Sequence, residues 1–171
     1  MKHTAVLTLT FLLFFLAANA QDTAHLKRTP RKLIMPIDKG MQYVQDVPAD
    51  AYLLPDNSLQ IYPGDTVYIE VTLENDVIKN MVAVKENTHP EKTMTVTFMQ
   101  VSKRGKHEMM MLKINNPFKQ TLVYQAKMFL LKGNHWISTD VMPVQGSLDG
   151  IETWPGVIVS LALGIWQFQS K

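Results

Sequence analysis

Apolar residues recur at every second position through most of the chain beyond residue 58. Val67, Ile69, Val71 and Leu73 alternate with Tyr68, Glu70 and Thr72, a period of two that gives a strand one apolar face. Asn75-Asp76 turns the chain into a second run, Val77 to Val84. Leu122, Tyr124, Ala126, Met128 and Leu130 then point one way, with Gln125 and Lys127 the other, and His135 to Val141 forms a further strand carrying Trp136. Shorter candidates come earlier: Tyr43-Val44, Ala51 to Leu54 and Leu59 to Ile61. Pro55-Asp56-Asn57, Pro63-Gly64-Asp65 and Lys132-Gly133-Asn134 are turn signals between them.

A hairpin is expected where Met94, Val96 and Phe98 face Met110, Leu112 and Ile114. A three-residue loop at Lys103-Arg104-Gly105, with Gly105 in the left-handed position, pairs Ser102 with Lys106. Phe98 then lies opposite Met110, Val96 opposite Leu112 and Met94 opposite Ile114, so six apolar side chains share one face. The other face receives Met99, Met109 and Met111, with His107 across from Val101.

Val157 to Phe168 is apolar on both faces and has the length of a buried helix. The β-branched Val157, Ile158 and Val159, and the alternation of Ser160, Ala162 and Gly164 with Val159, Leu161 and Leu163, favour a strand buried on both sides. The segment is short for a membrane span, and Glu152 and Pro155 block its extension upstream. Roughly seven to nine short strands with regular turn signals predict an all-β, antiparallel β-sandwich.

The N-terminus changes the picture by giving an address. Lys2 and His3 precede an apolar run from Ala5 to Ala17, closed by Ala18-Asn19-Ala20. That layout is a secretory signal peptide over residues 1–20, cleaved before Gln21, the alternative being an uncleaved anchor. Residues 21–38, with Lys27, Arg28, Arg31 and Lys32 interrupted by Pro30 and Pro36, are expected to form a flexible basic arm, and residues 39–171 a single domain. The arm is either a solvated leader or a contact for anionic lipid headgroups or an acidic partner. The expected destination is the periplasm or the exterior, with no transmembrane span after cleavage.

With no cysteine among 171 residues, disulfides, thiol catalysis and cysteine zinc sites are excluded, and so is a lipid anchor on cysteine. The leader carries Lys2 and no acidic residue, which leaves 16 basic against 15 acidic residues, a net charge of +1. That balance argues against a nucleic-acid binder. No G-x-S-x-G elbow, phosphate-binding glycine loop or H-E-x-x-H helix is present, so no enzyme chemistry and no cofactor is implied.

Two sets of residues remain as candidate sites. Methionine side chains repack around varied surfaces, which makes Met99, Met109 and Met111 a candidate partner-binding face. Trp154, between turn signals, joins them as an aromatic that could stack on a sugar or a partner's side chain, or else plug one end of the sandwich. The alternative chemistry for the first set is soft metal, since thioether and imidazole ligands suit Cu(I) and His107 lies on the same face as Met99, Met109 and Met111 in the expected register.

Leu112-Lys113-Ile114-Asn115-Asn116-Pro117-Phe118, followed by Leu122-Val123-Tyr124-Gln125-Ala126, resembles the strand–Asn-Pro–strand segment of immunoglobulin-like domains, including the late-embryogenesis-abundant type 2 sandwiches. Pro63-Gly64-Asp65 entering an alternating strand is similar to their start. Trp136, Pro143 and Glu152-Thr153-Trp154-Pro155 lie outside that pattern and look more like a group of exported bacterial proteins. The resemblance implies that the antiparallel β-sandwich is immunoglobulin-like, and it assigns no activity. The sequence therefore points to an exported, non-enzymatic sandwich that binds a secreted or envelope protein, or another envelope component.

Overall fold

The computed structural model describes residues 26–169, and the leader and the expected cleavage point lie outside them. Eleven strands and no helix make up the described residues: β1 (Arg31–Asp38), β2 (Met41–Val47), β3 (Leu59–Ile61), β4 (Asp65–Glu74), β5 (Val77–Val84), β6 (Thr93–Lys103), β7 (Lys106–Asn115), β8 (Leu122–Leu130), β9 (His135–Thr139), β10 (Asp149–Trp154) and β11 (Ile158–Phe168). They form a five-stranded antiparallel sheet, β10-β7-β6-β4-β5, a four-stranded antiparallel sheet, β3-β11-β8-β9, and a separate hairpin, β1-β2.

Alternation explains how the two larger sheets close. Val67, Ile69, Val71, Met94, Val96, Phe98, Met110, Leu112 and Ile114 from the first meet Leu59, Ile61, Leu122, Ala126, Leu161 and Leu163 from the second in one buried cluster. Val157 to Phe168 is strand for most of its length, and β11 lies between β3 and β8. A bulge near its end holds Ile165 at φ 51° and turns Trp166 inward. There the indole stacks on Tyr124 at 5.4 Å and donates from Nε1 to the Asn57 carbonyl oxygen at 3.0 Å.

The β6–β7 register differs from the expected one by two residues, and the difference has a physical cause. The turn holds only Arg104 and Gly105, at φ 52° and 75°, and Lys103 pairs with Lys106. Positive φ at both central residues is what the twist of a two-residue hairpin demands. A regular ladder from that turn would place Met109, Met111 and Lys113 in the core and expel Met110, Leu112 and Ile114. Losing those three apolar side chains would forfeit about 1.5–3 kcal/mol each. Glu108 is instead left unpaired as a bulge, so Val101 faces Met109 while Ser102 faces His107. Val96 then pairs with Ile114 and Phe98 with Leu112, and all six expected core residues are buried.

The expected basic arm is largely structured within the described residues. Arg31–Asp38 is a strand, and Lys27 bridges Ala51. The β1–β2 hairpin buries Leu33, Met35 and Val47 against Tyr62 and Val159, a second core outside the sandwich. Arg28 is 3% exposed, lies 4.9 Å and 5.1 Å from the Tyr52 and Tyr62 rings, and donates to the Gln60 carbonyl oxygen at 2.6 Å. Arg31 pairs with Asp65 at 2.9 Å.

Asn116 fixes the corner between β7 and β8. Its side chain is fully buried, and Nδ2 donates to the carbonyls of Gln120 at 2.9 Å, Val144 at 3.0 Å and Gln145 at 3.2 Å. Oδ1 accepts from the Phe118 amide at 3.1 Å, and the Asn116 amide itself donates to Leu148. One side chain thus ties the Pro117-Phe118 connection to the segment that leads into β10.

Candidate functional site

The outer face of the five-stranded sheet collects the exposed methionines. Met99 of β6 lies directly opposite Met111 of β7, and Val101 lies opposite Met109. Thr153 of β10 continues the row beyond Met111, with Ile151 diagonal to it. Ile151 is 58% exposed and Met99 38%, while Met109, Met111 and Val101 are half-buried by one another. Toward the far end of the sheet the apolar strip gives way to polar residues. Thr66 and Thr97 share a hydrogen bond at 3.2 Å, and Lys113 pairs with Asp149 at 2.8 Å.

The Asp149 carboxyl is held below the usual carboxylate range, first by the Lys113 hydrogen bond and then by the Asn115 amide. At this polar end of the strip the two charges neutralise one another. A border whose charges are paired can meet another apolar surface without stranding an ion; at the hairpin end the same row runs out to Lys103, unpaired among the described residues.

The remaining expected site residues do not join this strip. The Glu108 bulge turns His107 to the inner side, opposite the methionines and beside Gln100. There Gln100 Nε2 lies 2.9 Å from His107 Nδ1, and His107 Nε2 lies 3.0 Å from the Pro155 carbonyl oxygen. One tautomer satisfies both contacts, with Nδ1 accepting from Gln100 and Nε2 donating to Pro155. Gln100 also donates to the Pro36 carbonyl oxygen at 2.8 Å. His107 therefore fastens β1, β6 and the β10–β11 link together, and the expected imidazole–thioether set is divided between two faces. Among the described residues, no three His, Cys, Asp or Glu side chains gather as a metal centre.

Trp154 is likewise separated from the strip. It lies opposite the core residue Met110, packs against the sandwich core, and donates from Nε1 to Thr139 Oγ1 at 3.2 Å. It closes the margin between edge strands β10 and β9, which is the plug role rather than an exposed stacking platform. In the sequence Gly150 reads as a breaker, which puts Trp154 in a connection. In the structure that glycine lies within β10, where a Cβ would meet the Val144 side chain at 2.6 Å. Ile151, the most exposed apolar residue of the strip, carries no local signal of its own, because the same glycine hides its strand.

No protein-family model, curated protein or solved structure matches this chain. Among the described residues no helix is long and apolar enough to cross a membrane.

Proposed function

We propose that the chain is an exported, non-enzymatic binding domain that docks an envelope or secreted protein through the outer face of its five-stranded sheet. The observation that carries this reading is the strip in which Met99 faces Met111, Val101 faces Met109 and Ile151 stands exposed beside them. The side chains come from three adjacent strands of one rigid sheet, so the backbone need not move to present them. Methionine supplies unbranched, polarizable contacts that adapt to a partner's relief. The partner is a protein with its own apolar patch, since the strip offers few hydrogen-bonding groups to a sugar or a nucleotide.

Site-specific photo-crosslinkers at positions 99 and 151, with a control at the distant exposed residue Val77, test the assignment in the native cells. Positions 99 and 151 should capture the same protein, and Met111→Lys should abolish both products. Equal capture from position 77, or crosslinks unaffected by Met111→Lys, would remove the assignment.

A further inference from the structure

Two turns meet at the end of the sandwich that carries the β6–β7 hairpin tip, and a third lies at the same end. Lys39 from the β1–β2 turn and Lys103, Arg104 and Lys106 from the β6–β7 turn line one open cleft of about 600 Å³, together with His107 and Glu108. Lys106 Nζ bridges the two turns through Asp38 at 2.8 Å. Lys39, Lys103 and Arg104 make no ion pair among the described residues. The β8–β9 turn with Lys132 lies at the same end, because Leu130 pairs with Ile158, just past the link whose Pro155 receives His107. Next to Lys39, Met41 is 58% exposed.

Arg104 adds an independent observation. It occupies φ 52°, where glycine or asparagine would sit without strain, yet the position carries a long cationic side chain. The balanced net charge of the whole chain conceals this concentration at one end.

We infer that this basic end docks on a membrane surface bearing anionic phosphate headgroups, with Lys39, Lys103 and Arg104 as the headgroup contacts and Met41 reaching the interface. Cations set on turn tips at one end, rather than along a groove, suit a planar array of phosphates. Unpaired cations also give up no existing ion pair on binding. The strands would then stand on the membrane, with the methionine strip on the flank a few residues back from the tips. This inference is independent of the protein-docking reading.

The test is sedimentation of the mature protein with vesicles of phosphatidylcholine alone, and of phosphatidylcholine mixed with phosphatidylglycerol. Binding is expected only with phosphatidylglycerol and should weaken as salt rises. Lys39→Gln with Lys103→Gln and Arg104→Asn should weaken it about 100-fold, roughly fivefold for each cation. Asparagine tolerates the positive φ at 104, and an unchanged melting temperature will show that the variant is folded. Should it melt early, Lys39→Gln with Lys103→Gln alone should still lose about 25-fold on the same scale. Met99→Gln with Met111→Gln should leave vesicle binding unchanged. Equal binding to both vesicle types, no binding to either, or an undiminished variant would overturn the inference. So would displacement from phosphatidylglycerol vesicles by polyglutamate at equal charge concentration, which would assign the end to an acidic protein.

Discussion

Replacing Asn116 probes the corner that joins β7, β8 and the approach to β10. Asn116→Ala removes the only hydrogen-bond partner of the Phe118 amide and of the Gln120 carbonyl among the described residues, whereas the Val144 carbonyl keeps the Leu122 amide. The buried Phe118 amide at about 2 kcal/mol and the partly buried Gln120 carbonyl at about 1 kcal/mol make a loss of about 3 kcal/mol the expectation. For a domain of this size that is a fall in melting temperature of about 10 °C. Asn116→Asp keeps the shape but turns a carboxylate toward three carbonyl oxygens, and so should be worse at neutral pH. Burial without a cation raises the folded pKa of the introduced carboxyl above its unfolded value near 3.9. Between those two values the folded state holds more protons than the unfolded state, so stability falls as pH rises, by up to about 1.4 kcal/mol per unit. Below the unfolded value the protonated group can donate again and the electrostatic penalty vanishes. Urea titrations of both variants and the parent across the acidic to neutral range measure this, with the difference from the parent cancelling the native carboxylates. An Asn116→Asp deficit that does not change with pH, or a variant as stable as the parent at neutrality, would refute the reasoning.

Deleting Glu108 should be tolerated within a few degrees of melting temperature, because the bulge residue can leave without turning either face. Deleting Lys113, by contrast, should prevent folding, since every residue on one side of the gap would change face. Ile165→Asn should stabilise the domain by about 1 kcal/mol, since a β-branched residue at φ 51° is strained and its side chain is 62% exposed. On the acid side, Asp149 and Glu70 have lowered folded pKa values, Asp149 chiefly through Lys113 and Glu70 chiefly through Lys92. Their contribution is present above the unfolded carboxylate values and is lost as pH falls toward the folded ones. Lys113→Met should therefore flatten the acid limb of the stability profile, read by urea midpoints; an unchanged limb would deny the pair any role.

What the sequence revealed and what it hid follow from what alternation can encode. Val67 to Leu73 and Leu122 to Leu130 each state which residues face inward, and the buried face follows that pattern. Alternation fixes a strand's face but fixes its register only to within two residues. The two-residue turn and the Glu108 bulge each shift the β6–β7 ladder by one, so the core set was legible while the pairing was not. His107 lies beyond the bulge, where the face inverts, which is why it could not be assigned from parity. The strand Arg31–Asp38 was obscured by Pro36 and by Arg31 and Lys32, which lead into the buried Leu33 and Met35. In β10, glycine is required by the packing of Val144, a contact between distant segments that no local pattern announces.

The β1–β2 hairpin shares no backbone ladder with either larger sheet. Its attachments are side chains: Leu33, Met35 and Val47 on Tyr62 and Val159, the Arg31–Asp65 pair, the Lys106–Asp38 pair, and Gln100 on the Pro36 carbonyl. Such a unit opens sub-globally at a lower free energy than the sandwich, so its amides should exchange with solvent well before those of Val96 or Leu112. Opening also carries Lys39 away from Lys103 and Arg104. Any anionic surface that needs all three cations together is then a ligand of the closed hairpin alone, and by mass action it slows that exchange.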